Sequence, residues 1–148
     1  KRKAKMADKI VEACGGSVKG KTIAVLGLTF KPNTDDMRDS PSLAIVPALQ
    51  KAGATVRAYD PEGMHEAKKF LDVEMCSDAY AALEGADGVV ILTEWNEFRN
   101  PDFGEMNRLM RRKLIFDGRN LFEPDFIRDL GYQYVSIGRA VVSAKDKI

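Results

Sequence analysis

The chain has 148 residues, the size of one compact domain with its own core. Its 23 basic and 22 acidic residues leave a net charge of +1, which gives no overall field for nucleic acid or a membrane surface. No apolar run approaches the roughly 20 residues that span a bilayer, and no signal-peptide core follows the basic start. We therefore expect neither nucleic-acid nor membrane partners, and any anion site must come from local placement of charge.

The first segment has the pattern of a helix that is already under way. Residues 1–14 carry apolar side chains at helical spacing without a capping residue ahead of them, and Gly15-Gly16 is typical of a helix end. A helix without a start favours a piece of a longer protein, although natural N-termini are also ragged.

Beyond this helix, short apolar runs alternate with amphipathic stretches. The apolar runs predict strands at Thr22–Leu28, Ala54–Tyr59, Val73–Cys76, Gly88–Leu92, Leu114–Phe116 and Gln133–Ser136. The amphipathic stretches predict helices at Ser42–Ala52 (weakened by Pro47), Glu62–Leu71, Ser77–Glu84 (capped by Ser77), Phe103–Met110 and Glu123–Leu130. This alternation predicts a single doubly wound, Rossmann-like α/β domain, with helices on both faces of a mostly parallel sheet. Ligands of such domains bind at the edge where the strands have their carboxyl ends.

The most informative segment is the loop of residues 27–42, GLTFKPNTDDMRDSPS, between the first strand and the next helix. A dinucleotide-binding fold has its glycine-rich turn here, but the G-x-G-x-x-G pattern is absent. Instead, Lys31 and Arg38 precede Ser40-Pro41, a capping pair at a helix start. Free N–H groups at that helix start would also favour an anion, so the loop is a candidate phosphate site. The alternative is a solvated loop whose charges pair among themselves, Arg38 with Asp35 or Asp39.

Several further residues lie near the predicted edge. Asp60 follows the second strand, where a dinucleotide fold has a ribose-binding acid, but Asp60-Pro61 is also a helix cap, which we favour because the glycine pattern is missing. Glu94 and Trp95 are candidates to line the site. The alternative for Trp95 is packing in the core. Asp35 and Asp36 are expected to shape the loop by bonding backbone N–H groups or Arg38.

The segment FKPNTDDMRDSP resembles the signature that opens the C-terminal domain in the UDP-glucose/GDP-mannose dehydrogenase family. Other landmarks keep the family's order after later predicted strands: Tyr59-Asp60-Pro61, Thr93-Glu94-Trp95 and Asp117-Gly118-Arg119-Asn120. The resemblance spans residues 21–138. The combination of TFKPNTDD with FDGRN is more similar to the UDP-glucose branch than to the GDP-mannose or UDP-N-acetylhexosamine branches.

The resemblance implies the UDP-sugar-binding domain of an NAD-dependent enzyme that converts UDP-glucose to UDP-glucuronate while reducing two NAD. By position, Phe30, Lys31 and Arg119 match residues that contact the UDP-sugar. Arg38 matches an arginine that reaches the NAD bound on the other domain. The family's cysteine motif, of the type G-F-G-G-x-C, is absent from this chain, so we expect no catalytic residue in it and no turnover by it alone.

The resemblance also implies an organisation. Residues 1–18 would end a helix that connects to an N-terminal NAD-binding domain, and residues 19–148 would form the UDP-sugar-binding domain. The whole enzyme would be a cytoplasmic homodimer with a role in polysaccharide biosynthesis. A different class of function stays open, namely a stand-alone nucleotide-sugar-binding or regulatory module that performs no redox chemistry.

Cys14, Cys76 and the single histidine, His65, give no sign of a metal cluster or a disulfide framework. We expect packing roles for both cysteines, a surface position for His65 and no metal site. This cysteine usage fits a reducing compartment.

Overall fold

A computed structural model describes residues 2–136, which form a six-stranded parallel sheet with helices on both faces. The strands are β1 Thr22–Leu26, β2 Thr55–Tyr59, β3 Glu74–Met75, β4 Gly88–Ile91, β5 Leu114–Asp117 and β6 Gln133–Ser136. The helices are α1 Arg2–Ala13, α2 Ser42–Lys51, α3 Met64–Ala67, α4 Ala79–Leu83, α5 Phe103–Leu109 and α6 Pro124–Asp129, with a 3₁₀ turn at Asn96–Phe98.

The strand order is β3-β2-β1-β4-β5-β6, and every neighbouring pair is parallel. This is the order of a Rossmann-like doubly wound domain, in which the chain reverses direction across the sheet between β1 and β4. The predicted fold class is confirmed.

Two hydrophobic layers cover the two faces of the sheet, because successive side chains of a strand point to opposite sides. In β1, Ile23 and Val25 pack into the layer under α1, α2 and α3, whereas Ala24 and Leu26 pack into the layer under α4, α5 and α6. All four side chains are buried, as the uninterrupted apolar run of a strand covered on both faces requires.

The first helix belongs to the same packed unit as the sheet. Ala7, Ile10 and Cys14 are buried on its inner side. Its end is held by the side chains of Arg112 and Gln133, which donate hydrogen bonds to the carbonyl oxygens of Cys14 and Ala13 at 3.2 and 3.3 Å. The predicted helix is therefore present, and its carboxyl end is tied to the region around β5 and β6.

The predicted cap of α4 is wrong by one residue. Asp78, not Ser77, precedes the helix, and its carboxylate accepts a hydrogen bond from the Ala81 N–H at 2.8 Å. Aspartate caps helices about as well as serine, so the two neighbours could not be separated by residue type.

The helix predicted at Glu62–Leu71 is shorter and covers Met64–Ala67. The Asp60 carboxylate accepts hydrogen bonds from the N–H groups of Glu62 and Gly63, at 2.9 and 2.7 Å, and so holds them in a turn. The helix begins only after that turn.

Both cysteines are buried without a disulfide, and burial raises the pKa of each thiol. Their predicted packing roles are confirmed, and His65 is exposed as expected. Within the described residues, no helix has the length and apolar character needed to cross a membrane.

Candidate ligand site at the carboxyl edge of the sheet

The four residues predicted to bind ligand all lie on loops at the carboxyl edge of the sheet. Phe30, Lys31 and Arg38 lie on the loop between β1 and α2, and Arg119 follows β5. Since β4 lies between β1 and β5, the two strand ends are about 10 Å apart. The structure therefore places these residues on loops along one rim.

Asp60, directly after β2, is a buried carboxylate that fixes the base of the β1–α2 loop. Its Oδ2 accepts hydrogen bonds from the N–H groups of Leu28 and Thr29 at 2.7 and 3.2 Å, and from the Thr29 hydroxyl at 3.3 Å. The indole N–H of Trp95 donates to the same oxygen at 3.2 Å. Asp60 is 0% exposed, so the interpretation as a ribose-binding acid is wrong. The favoured interpretation as a helix cap is wrong as well, because Gly63 directly precedes α3 and Asp60 instead holds the turn before it. Trp95 is a packing residue.

Gly27 allows the β1–α2 loop to approach the segment after β4. It has a φ of 94°, and a Cβ at this position would lie 2.6 Å from Thr93. The Thr93 hydroxyl in turn donates to the Thr29 carbonyl oxygen at 2.7 Å. The glycine thus serves packing between two loops, and the N–H groups of Leu28 and Thr29 are committed to Asp60. This turn does not form the pyrophosphate cradle of a dinucleotide-binding fold.

The start of α2 also has its polar groups satisfied within the protein. The predicted cap is wrong by one residue, because Pro41 and not Ser40 directly precedes α2. The Ser40 hydroxyl still accepts a hydrogen bond from the Ser42 N–H at 3.2 Å. Both serine hydroxyls also lie within hydrogen-bond distance of the Leu28 carbonyl oxygen, at 2.5 and 2.6 Å. The N–H of Leu43 donates to the Ser40 carbonyl oxygen at 3.1 Å. Our expectation of free N–H groups at this helix start was therefore wrong, and anion binding at the start of α2 must rely on side chains.

Arg38 forms a two-pronged ion pair with Asp36. Its Nε and Nη2 donate to Oδ1 and Oδ2 of Asp36 at 3.0 and 2.9 Å, and its backbone N–H donates to Oδ1 at 2.9 Å. These hydrogen bonds lower the pKa of Asp36 to about 2. The solvated-loop interpretation was right that Arg38 pairs within its own loop, and the two-pronged ion pair is with Asp36. Asp36 has the loop-shaping role that we expected.

Phe30 and Lys31 have fixed backbones and exposed side chains. The Phe30 N–H donates to the Asp36 carbonyl oxygen at 3.0 Å, and the Thr29 hydroxyl lies 3.0 Å from the Lys31 carbonyl oxygen. The Phe30 ring is 47% exposed. Within residues 2–136, the Lys31 ammonium forms no ion pair. It therefore presents a positive charge on a loop held in place from below, and this charge also contributes to lowering the pKa of Asp36.

A second buried carboxylate, Asp117 at the end of β5, shapes the loop that carries Arg119. It accepts hydrogen bonds from the N–H groups of Arg119 and Leu121 at 2.9 and 2.7 Å, and from the Tyr134 hydroxyl at 2.7 Å. Sequence reasoning assigned no such role to Asp60 or Asp117. The available signal was their position, since each is an acid at the carboxyl end of an apolar strand.

The Arg119 side chain binds the carboxylate of Glu94, which lies on the loop after β4. The distance from Nε to Oε1 is 2.6 Å, and the two side chains are 41% and 30% exposed. The hydrogen bond from Arg119 is the largest influence on Glu94 and lowers its pKa. Glu94 thus belongs to the rim, although its partner could not be read from the sequence.

None of the predicted binding residues lines the apolar cavity of about 180 Å³ between α4, α5 and the sheet. They lie instead on the rim at the carboxyl edge of the sheet. Among the described residues, no three His, Cys, Asp or Glu side chains are grouped so that they could hold a metal ion.

The sheet order and the loops of this rim define an open, Rossmann-like α/β domain. Residues 24–124 match the model of the UDP-glucose/GDP-mannose dehydrogenase family, UDP binding domain. The chain belongs to this family, and the resemblance seen in its sequence is confirmed.

Curated relatives agree with this assignment. The chain is 52% identical over 139 residues to a UDP-glucose 6-dehydrogenase of Rhizobium meliloti, covering 93% of this chain and 32% of the relative. It is 46% identical over 144 residues to a UDP-glucose 6-dehydrogenase of Bacillus subtilis, covering 96% of this chain and 31% of the relative. The chain thus spans about a third of the length of these curated relatives.

Solved structures show the same fold. A UDP-glucose dehydrogenase of Pyrobaculum islandicum superimposes with a TM-score of 0.72 at 30% identity, over 94% of this chain and 30% of that one. An NDP-N-acetyl-D-galactosaminuronic acid dehydrogenase of Methanosarcina mazei gives a TM-score of 0.77 at 27% identity, over 93% and 28%.

Proposed function

We propose that this chain is the UDP-sugar-binding part of an NAD-dependent UDP-glucose 6-dehydrogenase, which oxidises UDP-glucose to UDP-glucuronate while reducing two NAD. Family membership and the names of the curated relatives support this assignment. The structural observation that carries it is the Lys31 ammonium, which forms no ion pair within residues 2–136 and lies on a fixed loop at the same edge as Arg119.

The chemistry of the rim suits a diphosphate linked to apolar and hydroxyl-bearing groups. We assign Lys31 as a point charge for the UDP-sugar and Arg119 as a planar donor for its phosphate or uracil oxygens. The exposed ring of Phe30 supplies an apolar face against which a base or a sugar ring can pack.

We assign the main NAD site to a part of the protein outside this chain. The N–H groups that would hold its pyrophosphate donate to Asp60 instead, so we assign its binding to an N-terminal domain. Arg38 is the residue of this chain that we expect to reach NAD, because its side chain is 88% exposed and Asp36 holds its guanidinium in one orientation.

The oxidation also needs a nucleophile from outside the described residues. Oxidation of an aldehyde to an acid through a covalent thiol intermediate requires an accessible thiolate. Cys14 and Cys76 are both buried, and burial raises the pKa of each, which disfavours the thiolate. We therefore expect no turnover by this chain alone.

We further propose that residues 1–18 end a helix connecting to the NAD-binding domain and that residues 19–148 form the UDP-sugar-binding domain. In the whole protein, this connecting helix would contribute to a homodimer. The enzyme would act in the cytoplasm and supply UDP-glucuronate for polysaccharide biosynthesis.

Calorimetric titration of the 148-residue chain with UDP-glucose tests the proposal. We expect weak, saturable binding that falls about tenfold or more in Lys31→Ala, since a charge-assisted hydrogen bond contributes about 1.5–3 kcal/mol. Lys51→Ala is the matched control, because Lys51 is an exposed lysine far from the rim. It ends α2 near Gly53, whose carbonyl oxygen accepts a hydrogen bond from the Gly20 N–H at the amino edge of the sheet. The affinity of the Lys51→Ala variant for UDP-glucose should equal that of the unmodified chain.

GDP-mannose and NAD complete the test and should bind more weakly than UDP-glucose. Absence of UDP-glucose binding, or equal affinities for the Lys31 and Lys51 variants, would contradict the proposed site. Tight binding of NAD by this chain alone would contradict the assignment of NAD to another domain.

A further inference from the structure

We propose that Glu94 is a positioning residue for Arg119, which it holds through Nε so that both terminal nitrogens remain available to the ligand. This inference rests on the proposed function, since the ligand is the UDP-sugar. It adds a residue to the site and gives that residue a task.

The pattern of hydrogen bonds carries the inference. Arginine has five N–H donors, one on Nε and four on the terminal nitrogens. Within the described part of the chain, the Arg119 side chain makes its hydrogen bond through Nε alone, to Oε1 of Glu94. Four donors in a planar fork are thus left for phosphate or uracil oxygens.

Arg57 and Arg111 also approach a carboxylate through Nε, at the longer distances of 3.4 and 3.8 Å, but two other arginines use a second nitrogen. Arg38 binds Asp36 through both Nε and Nη2. Arg108 binds Glu105 through the same two nitrogens. Their carboxylates occupy the edge of the guanidinium formed by Nε and Nη2, whereas among the described residues nothing binds either terminal nitrogen of Arg119.

Both partners are mounted on fixed backbone. The Arg119 N–H donates to the buried carboxylate of Asp117 at 2.9 Å. On either side of Glu94, the Thr93 hydroxyl donates to the Thr29 carbonyl oxygen and the Trp95 indole donates to Asp60. An arginine held at its backbone and at Nε loses less conformational freedom on binding an anion, which favours binding.

The carboxylate of Glu94 also repels an incoming diphosphate, so positioning and repulsion have opposite effects on affinity. Our proposal requires positioning to dominate. Glu94→Ala should therefore weaken binding of UDP about five- to tenfold. Glu94→Gln should lose less than Glu94→Ala, because its amide oxygen can still accept the Nε–H bond.

A double-mutant cycle with UDP, read by calorimetry on the 148-residue chain, separates positioning from a merely structural role. If Glu94 acts through Arg119, then Glu94→Ala causes no further loss once Arg119→Ala is present. Glu105→Ala is the matched control, because it breaks an exposed glutamate–arginine pair on α5 and should leave the affinity unchanged.

Side-chain NMR of arginine gives a readout that does not depend on ligand. The Nε–H signal of Arg119, assigned by its loss in Arg119→Lys, should exchange slowly with water in the unmodified chain and rapidly in Glu94→Ala. Backbone amide spectra of each variant verify that the fold is retained.

Unchanged or tighter UDP binding by Glu94→Ala, an equal loss in the presence of Arg119→Ala, or an Nε–H signal that ignores Glu94 would each overturn this inference alone. If Arg119→Ala binds UDP like the unmodified chain, or the unmodified chain binds no UDP, the proposed site fails and this inference fails with it.

Discussion

Replacing Asp60 by asparagine changes one oxygen of a fully buried carboxylate into an NH₂ group at nearly constant volume. Oδ2 accepts four hydrogen bonds and Oδ1 accepts two, all from uncharged donors. The asparagine amide has a single oxygen, which is best placed at the Oδ2 position. Its NH₂ group then lies at the Oδ1 position and faces the N–H donors of Glu62 and Gly63.

The size of the effect follows from those two donors. A hydrogen bond to a charged group contributes about 1.5–3 kcal/mol, so losing two at a buried site costs about 3–6 kcal/mol. The weaker acceptor at Oδ2 adds to this loss. Native domains are stable by about 5–15 kcal/mol, and the substitution therefore removes a large part of the free energy of unfolding.

Urea denaturation measures this free energy, followed by circular dichroism and by the fluorescence of the single tryptophan, Trp95, which donates to Asp60. Asp72→Asn, an exposed aspartate before β3, is the matched control and should keep the unmodified midpoint. A loss below about 1 kcal/mol for Asp60→Asn would refute the argument, because it would mean that these hydrogen bonds are readily replaced.

Two other perturbations test the β1–α2 loop. Gly27→Ala should lower the free energy of unfolding by about 3 kcal/mol, because it combines a positive φ with a Cβ placed 2.6 Å from Thr93, and an unchanged melting temperature would contradict this. The Asp36 carboxyl should titrate near its lowered pKa of about 2 in NMR, and Arg38→Ala should return the midpoint toward 3.8. The pair thus contributes to stability above the ordinary pKa of Asp36, and this contribution is lost as the pH falls through about 2. Equal midpoints with and without Arg38 would show that the guanidinium does not bind Asp36 in solution.

The framework of the domain could be predicted because its strands are continuous apolar runs. TIAVL and GVVI form β1 and β4 at the centre of the sheet, where both faces are covered and polar side chains are excluded. Once these strands are parallel, their carboxyl ends must share an edge, which is why Lys31 and Arg119 could be assigned to one rim before the fold was seen.

The contacts within that rim could not be predicted, because they join residues far apart in sequence. Glu94 and Arg119 are separated by 25 positions, and Asp60 and Leu28 by 32. A loop sequence records that charges are present but not which distant loop lies beside it. Arg38 and Asp36 lie two residues apart, and here the uncertainty was which of three neighbouring aspartates would point toward the guanidinium.

The segment after β4 also determines where this domain can change length. Each of three consecutive side chains binds a different loop: Thr93 binds Thr29, Glu94 binds Arg119 and Trp95 binds Asp60. A substitution here breaks one of these contacts, but the insertion of a single residue before them would advance the extended chain by about 3.3 Å, reverse the direction of each side chain and break all three together. During divergence, this tripeptide should therefore tolerate changes of residue far better than changes of length.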